Sequence, residues 1–149
     1  MKFYVFFALI IIAAIPTFAQ KQPEGVLYNA TLTRVIDGDT VAFQANWLPD
    51  PLKKELSLRV YGVDTPEKGH RAQCPQEDAR GQEATKFTKQ AVSSATQRQI
   101  YLIGWDKYGG RVLGDIILDG KSLRQMLIQY GYAREYYGEA KQSWCNIKP

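Results

Sequence analysis

From Tyr28 to Tyr61 the side chains alternate in character at every second position, in runs too short for helices and each closed by turn-forming residues. This period commits the first part of the chain to short strands. Ala30, Leu32, Arg34 and Ile36 alternate with Thr31, Thr33 and Val35 up to Asp37-Gly38-Asp39, a turn by its composition. A second strand runs from Thr40 to about Ala45, and a proline-punctuated loop over residues 46–51 separates it from the next. In the third, Leu56, Leu58 and Val60 share one face while Ser57, Arg59 and Tyr61 share the other. Between Gln76 and Gln97 the period lengthens, with Ala84, Phe87, Ala91 and Ala95 at the spacing of an amphipathic helix. Two further strands are predicted over residues 99–104 and 111–118, joined by a loop over 105–110, and Asp119-Gly120 ends the second. Ser122 with Gln125 forms a capping-box pattern for a short helix carrying Leu123, Met126, Leu127 and Tyr130, and Gly131 suits its C-terminal stop. Strands in succession with helices inserted late do not alternate as a parallel α/β fold does. The expected fold is α+β, a five-stranded β-barrel of the OB type.

The chain has 149 residues, 45% of them hydrophobic, which fills one modest core and makes one compact domain. Met1 and Lys2 precede an apolar run from Phe3 to Ile15, closed by Pro16, Thr17, Phe18 and Ala19, with polar residues after it. The run falls short of the ~20 residues that span a bilayer and has the flanks of a cleavable secretory signal peptide over residues 1–19. The expected division is then a signal peptide over 1–19, a polar lead-in over 20–25, a folded domain over 26–145 and a tail over 146–149. Export would place the protein outside the cell or in a periplasm, with no stable membrane association after cleavage. In an oxidising compartment the two cysteines, Cys74 and Cys145, have one possible intramolecular pairing, the alternative being two free thiols.

The single histidine, His70, excludes chemistry that needs two or more imidazoles, so any metal must be held mainly by oxygen. Neither a phosphate-binding GxxxxGK[ST] loop nor a serine-nucleophile motif occurs. The informative segments are Val35-Ile36-Asp37-Gly38-Asp39-Thr40, Leu58-Arg59-Val60-Tyr61-Gly62-Val63-Asp64-Thr65-Pro66-Glu67 and Asp106-Lys107-Tyr108-Gly109-Gly110-Arg111. Taken singly, the first is a hairpin turn, the second a helix start with Asp64 as cap or else a turn, and the third a glycine-containing loop. Taken together they describe a site for cleaving a phosphodiester. Asp39 and Asp64 stand at strand ends where a barrel brings them together, and hard divalent cations take carboxylate and carbonyl oxygens. Arg59 and Arg111 are placed to bind the equatorial oxygens of a phosphate with paired hydrogen bonds. Glu67, just past Asp64, can serve as base for an attacking water.

These three segments, in this order, resemble those of the staphylococcal nuclease (thermonuclease) family over about Gly25 to Cys145. The resemblance implies an OB-fold barrel with about three helices and a Ca²⁺-dependent, sugar-nonspecific nuclease that hydrolyses DNA and RNA to products bearing a 3′-phosphate. Position by position, it implies calcium ligands at Asp39, Asp64 and the backbone carbonyl of Thr65, an outer carboxylate at Asp37, a base at Glu67 and phosphate-binding arginines at Arg59 and Arg111. Lys107 and Tyr108 match positions near a terminal phosphate of the substrate, and Tyr137 lies near a tyrosine that packs against the base. Four features depart from the staphylococcal enzyme: an extra residue in Gly109-Gly110 before Arg111, a longer loop over residues 44–54 that contains Trp47, the segment from Lys68 to Pro75, and the cysteine pair.

Charge agrees with a polyanionic substrate. Removing residues 1–19 takes away Lys2 alone, leaving 18 basic against 15 acidic side chains; with Asp37, Asp39, Asp64 and Glu67 committed around a cation, the basic surplus is seven. Tyr136 and Tyr137 are either core residues at the barrel seam or candidates to stack on unpaired bases; the expected partners are DNA and RNA, preferentially single-stranded or flexible, and the expected state is a monomer. Trp47, Trp105 and Trp144 are read as packing residues, and His70 as an exposed loop residue without a role. The rival reading is a noncatalytic OB-fold nucleic-acid-binding module; degenerate modules of that kind lose acidic or arginine positions, all of which are filled here. A structural calcium module would leave both arginines without a purpose.

Overall fold

A computed structural model describes residues 23–146, so the signal-peptide segment and the last residues of the tail lie outside it. The strands are β1 (Val26–Asn29), β2 (Leu32–Asp37), β3 (Thr40–Gln44), β4 (Glu55–Val60), β5 (Val63–Asp64), β6 (Arg98–Trp105), β7 (Arg111–Leu118), β8 (Lys121–Ser122) and β9 (Arg134–Glu135). Helix α1 (Pro75–Ser94) lies between β5 and β6, helix α2 (Leu123–Gln129) follows β8, and Gly69–Arg71 forms a single 3₁₀ turn.

The main sheet is ordered β1-β6-β7-β4-β3-β2, with β8 pairing β7, and β5 and β9 form a separate antiparallel pair. All pairings in the main sheet are antiparallel except β4 with β7. The expected α+β class holds, but two details of the expectation do not. The sheet is not a closed five-stranded barrel, because the first strand is split at Ala30-Thr31: β1 pairs β6, β2 pairs β3, and the two ends of the ladder are not hydrogen-bonded to each other. Since only Ala30 and Thr31 separate β1 from β2, the sheet must curl until its two edges meet at that bend. At this seam an apolar cavity of about 370 Å³ lies between Tyr28, Phe43, Trp47 and Leu102, away from the charged site. Among the described residues there are two α-helices rather than three. After α2 the chain turns at Gly131 (φ +76°), pairs with β5 through β9, and turns again at Gly138 (φ +107°), with no regular helix among the described residues between β9 and Cys145.

Valine, leucine and isoleucine side chains from the inner face of the curled sheet, including Val41, Leu58, Val60, Ile100 and Ile116, pack with Leu123 and Leu127 of α2 to make the core. Ser122 caps α2 as the capping pattern predicts, its hydroxyl accepting from the Gln125 N–H at 3.1 Å, and Gly131 takes the left-handed conformation (φ +76°) just past the helix end. Buried Asp115 ties β7 to this helix start by accepting from the backbone N–H of Arg124 and the Ser122 hydroxyl.

Helix α1 begins with Pro75 in its first turn and Cys74 as N-cap, whose sulfur accepts from the Glu77 N–H. Its fully buried residues are Glu77, Gly81, Ala84, Thr85 and Thr88, while Phe87, Ala91 and Val92 are partly buried against the core. The expected face of Ala84, Phe87, Ala91 and Ala95 is buried or packed on the core, and the buried surface widens beyond it to Glu77, Gly81, Thr85 and Thr88, because this side presses on the Gly38 turn and the loop after β5. A side chain at Gly38 would meet the Ala84 methyl at 2.8 Å, so the Asp-Gly-Asp turn must be glycine to let α1 approach. Thr88 donates to the Gly38 carbonyl at 2.6 Å and locks the contact.

Candidate active site

Three backbone arrangements assemble the site. The Gly38 turn carries Asp37 at the end of β2 and Asp39 just before β3, the latter 5% exposed. The register Thr40↔Arg59 across β3 and β4 sets Arg59 beside this turn, and Arg59 Nη2 lies 3.6 Å from Asp39 Oδ2. Ser57 pairs with Arg111 across β4 and β7, so Arg59 and Arg111 sit two residues apart along neighbouring parallel strands, on one face of the sheet.

The loop from Asp64 to Ala72 is the third arrangement, and it rests on α1. Buried Glu77 accepts from the backbone N–H groups of Glu67 (3.3 Å) and Gln73 (2.7 Å), and Asp78 accepts from Gly69 N–H at 2.6 Å. Of the two readings of the Asp64 segment, helix start or turn, the helix start does not form; the chain stays irregular through Glu67 and helix α1 begins only at Pro75. Side-chain ion pairs then bridge the carboxylates. Arg71 binds Asp37 Oδ2 at 2.7 Å and Glu67 Oε2 at 3.4 Å, and Lys141 binds Asp64 Oδ1 at 2.7 Å and lies 3.8 Å from Glu67 Oε1. Asp64 is 5% exposed, and its other oxygen, Oδ2, accepts from the indole N–H of buried Trp144 at 3.0 Å.

The electrostatics follow from these contacts. The Asp37 hydrogen bond raises the Arg71 guanidinium pKa against the opposing effect of burial, with Glu67 and Asp39 adding to it. Burial lowers the Lys141 ammonium, but the hydrogen bond and charge of Asp64 outweigh it and the pKa is raised. Asp106, also buried, is pushed up by desolvation and pulled down further by its ion pair with Arg111, so its carboxyl lies below the ordinary range. Arg59 pairs with Asp39 and Arg111 with Asp106 on neighbouring strands, which places the two arginines beside the carboxylates.

Two clefts open on this surface. One, of about 430 Å³, is lined by Asp64, Thr65, Glu67, Arg71, Lys141 and Trp144 among others. The second, of about 350 Å³, lies between Asp37, Thr40, Ser57, Arg71, Tyr108 and Arg111. Arg71 is shared, so an acidic cleft and a cationic one meet at its guanidinium. Tyr108 is 79% exposed, with Lys107 Nζ 4.9 Å from its ring centroid, and extends from the loop that leads to Arg111. That loop accommodates its extra residue by turning through two left-handed glycines, Gly109 (φ +69°) and Gly110 (φ +76°). Tyr137 lines neither cleft: its hydroxyl meets Arg124 Nη2 and its ring packs edge-on against Tyr61.

Asp39, Asp64 and the buried Thr65 offer only oxygen donors, which suits a hard divalent cation, with water or substrate completing its coordination. No three Asp, Glu, His or Cys side chains converge into a closed metal cage among the described residues. The Asp64 carboxylate is instead met by the Lys141 ammonium.

Sequence reasoning missed Arg71, Asp106, Lys141 and Trp144. Trp144 is a buried hydrogen-bond donor to Asp64 rather than a packing residue alone, whereas Trp47 and Trp105 are 64% and 63% exposed and serve little as packing. The signal that could have located Lys141 and Trp144 is Cys145. Its disulfide with Cys74 (S–S 2.06 Å) carries the end of the chain to the start of α1, directly behind Glu67, and its neighbours follow it into the site. His70 is exposed in the 3₁₀ turn, as expected.

Residues 57–146 match the family model described as staphylococcal nuclease homologue. Over 113 residues, 74% of this chain, the sequence is 37% identical to "Endonuclease YncB" of Bacillus subtilis (strain 168), covering 49% of that protein. Over a segment of the same length it is 34% identical to "SPbeta prophage-derived endonuclease YokF" of the same organism, covering 35% of it. The chain thus spans about half or less of the length of these curated relatives. The matched region contains Arg59, Asp64, Glu67 and Arg111 together with the Lys141–Cys145 segment, and on this match the chain belongs to the staphylococcal nuclease family.

Proposed function

We propose that this protein is a secreted or periplasmic, Ca²⁺-dependent nuclease that hydrolyses DNA and RNA without regard to the sugar and leaves 3′-phosphate ends. The observation that carries the reading is the placement of Arg59 and Arg111 on one face of neighbouring parallel strands, beside a cluster of buried and half-buried carboxylates. A phosphodiester between two such poles meets guanidiniums on its equatorial oxygens and carboxylates on the side from which water approaches. Two relatives named as endonucleases support the reaction class. The disulfide supports export to an oxidising compartment.

In this reading Asp39, Asp64 and the Thr65 carbonyl hold the cation, which when bound polarises the phosphate and acidifies water. Arg111 keeps its Nε on Asp106, which leaves the two terminal nitrogens of the guanidinium to point at the phosphate as a fork. Arg59 supplies the second fork. Glu67 takes the proton of the water whose oxygen bonds to phosphorus as the bond to the 5′ oxygen breaks, and the departing 5′ oxygen is protonated from solvent. Asp37 holds Arg71 and through it the orientation of Glu67. Lys107 and Tyr108, exposed at the rim of the cationic cleft, meet the next phosphate and base of a flexible strand.

The test is incubation of the purified protein with single-stranded DNA and with RNA, in Ca²⁺, in Mg²⁺ and in chelator, with end-group analysis of the products. Cleavage in Ca²⁺ that stops in chelator and yields 3′-phosphates is expected. Intact substrate in Ca²⁺ overturns the proposal, and retained binding without cleavage would make the chain a nucleic-acid-binding module.

A further inference from the structure

We infer that the segment Lys141–Cys145 is a working half of the cation site, with Trp144 a positioning residue that fixes Asp64 and Lys141 a tethered counter-cation that a bound divalent ion displaces. The inference rests on the proposed placement of a cation at Asp39 and Asp64, and goes beyond it to residues that no motif of the chain assigns.

The two oxygens of Asp64 are held in different ways. Oδ2 accepts from the Trp144 indole, a group that can only donate, and both side chains are buried. Trp144 is fixed from several directions. Arg134 lies over its ring with the guanidinium carbon 3.9 Å from the centroid, and donates to the carbonyls of Gln142 (3.3 Å) and Ser143 (3.0 Å). Arg134 is itself the β9 partner of Asp64 in the β5–β9 pair. Next to Trp144, Cys145 is joined to the N-cap of α1. Ring, backbone and disulfide thus all anchor the donor that faces Oδ2, so this carboxylate cannot rotate without giving up a charge-assisted hydrogen bond.

Oδ1 is held by a contact of the opposite kind. The Lys141 side chain is 44% exposed, and its ammonium ends a flexible stem that can swing into water. It meets Oδ1 at 2.7 Å, Glu67 Oε1 at 3.8 Å and the face of Tyr136 at 5.7 Å from the centroid. It therefore sits between the carboxylate proposed as ligand and the carboxylate proposed as base, where a single positive charge serves both. A divalent cation at Oδ1 must take this place and release the ammonium, while Trp144 keeps Oδ2 and presents Oδ1 to the incoming ion.

The two residues then act on cation affinity with opposite signs, which general loss of stability cannot imitate. The experiment is calorimetric titration of Ca²⁺ into the metal-free full chain, without nucleic acid, for wild type, Trp144→Phe and Lys141→Met, with thermal unfolding of each protein as a check on folding. Trp144→Phe keeps a ring for Arg134 but removes the donor; affinity is expected to fall about tenfold, the scale of losing a group that orients a metal ligand. Lys141→Met removes the competitor, and affinity is expected to rise about tenfold. In wild type, acetylation of Lys141 read by mass spectrometry should quicken when Ca²⁺ is added. Unchanged or weaker binding by Lys141→Met overturns displacement, and wild-type affinity in Trp144→Phe overturns positioning. Should Trp144→Phe fail to fold, Lys141→Met and the acetylation rate decide. A protein that binds Ca²⁺ with these shifts yet cleaves nothing fails the proposed function alone; one that cleaves in Ca²⁺ while both variants bind as wild type fails this inference alone; no Ca²⁺ binding overturns both.

Discussion

Breaking the Cys74–Cys145 disulfide should weaken both the fold and the site, and the first effect can be sized from the chain. The bond joins residues 71 apart in sequence, and the entropy of closing a loop of that length in the unfolded chain corresponds to about 4 kcal/mol. With a urea dependence of about 2 kcal/mol per molar for a domain of this size, the unfolding midpoint should fall by roughly 2 M. The cleaner variant is Cys145→Ser. Cys74 also caps α1 by accepting the Glu77 N–H, and serine there would be a better cap and offset part of the loss. Urea unfolding followed by tryptophan fluorescence, on Cys145→Ser and on wild type with and without reductant, gives three curves, of which the variant and the reduced wild type should coincide. A midpoint shift below about 0.5 M would mean that the ends of this loop are already close in the unfolded chain, and the entropic reasoning would fail.

Arg111→Ala and Glu67→Gln should each lower turnover by about a hundredfold or more, the range for electrostatic and acid–base groups, and near-wild-type rates in either would remove its assigned role. Arg111→Ala also leaves the buried Asp106 carboxylate without its partner, so its unfolding temperature should fall, whereas Glu67→Gln, at a half-buried position, should unfold near wild type. Stability against pH should carry two signatures of opposite sign. Asp106 has a lowered folded-state pKa, so its contribution is present above its ordinary value of 3.8 and is lost as pH falls through the folded value; Asp106→Asn should remove that acid-side loss. Asp115 is raised by burial against its hydrogen bonds, so stability falls as pH rises from 3.8 through its folded value, and Asp115→Asn should flatten that slope. Gly81→Ala gains about 1 kcal/mol of helix propensity but sets a methyl 2.8 Å from the Glu67 carbonyl carbon and 2.9 Å from the Pro66 oxygen. Those atoms are backbone, so the variant should lose about 1–3 kcal/mol in urea unfolding and displace Glu67, and a more stable protein would show that α1 is free to shift.

What the sequence disclosed is what local chemistry decides. The strands at Arg98–Trp105 and Arg111–Leu118, the cap at Ser122 and the left-handed Gly131 follow from alternation and from backbone preferences within a few residues. The three charged segments were legible because each places its charged residues at a strand end, and strand ends are where a curled sheet gathers side chains. What stayed hidden depends on contacts remote in sequence. The face that α1 buries was read from its alanines and Phe87, yet Glu77, Gly81 and Thr88 are buried because they bind the Gly38 turn and the Glu67 loop, which no helical period encodes. The bend at Ala30-Thr31 has no proline or glycine to announce it; it exists because one strand serves two ladders. Trp47 and Trp105 were assigned to packing on their apolar area, although the loop and strand end that carry them leave the rings at the surface.

Asp37, Asp39, Asp64 and Glu67 would repel one another if left alone, yet the chain folds them into one surface because its own cations answer each of them: Arg71 and Lys68 at Asp37, Arg59 at Asp39, Lys141 at Asp64, and Arg71 with Lys141 at Glu67. A divalent ion entering such a site gains no bare carboxylates; it must exchange with ammonium or guanidinium groups, and its affinity is set by the difference between two paired states. Such an exchange leaves the released cations beside an incoming phosphate, so cation and substrate should each tighten the binding of the other. Polarisation of the phosphate by the bound ion would add to the same coupling.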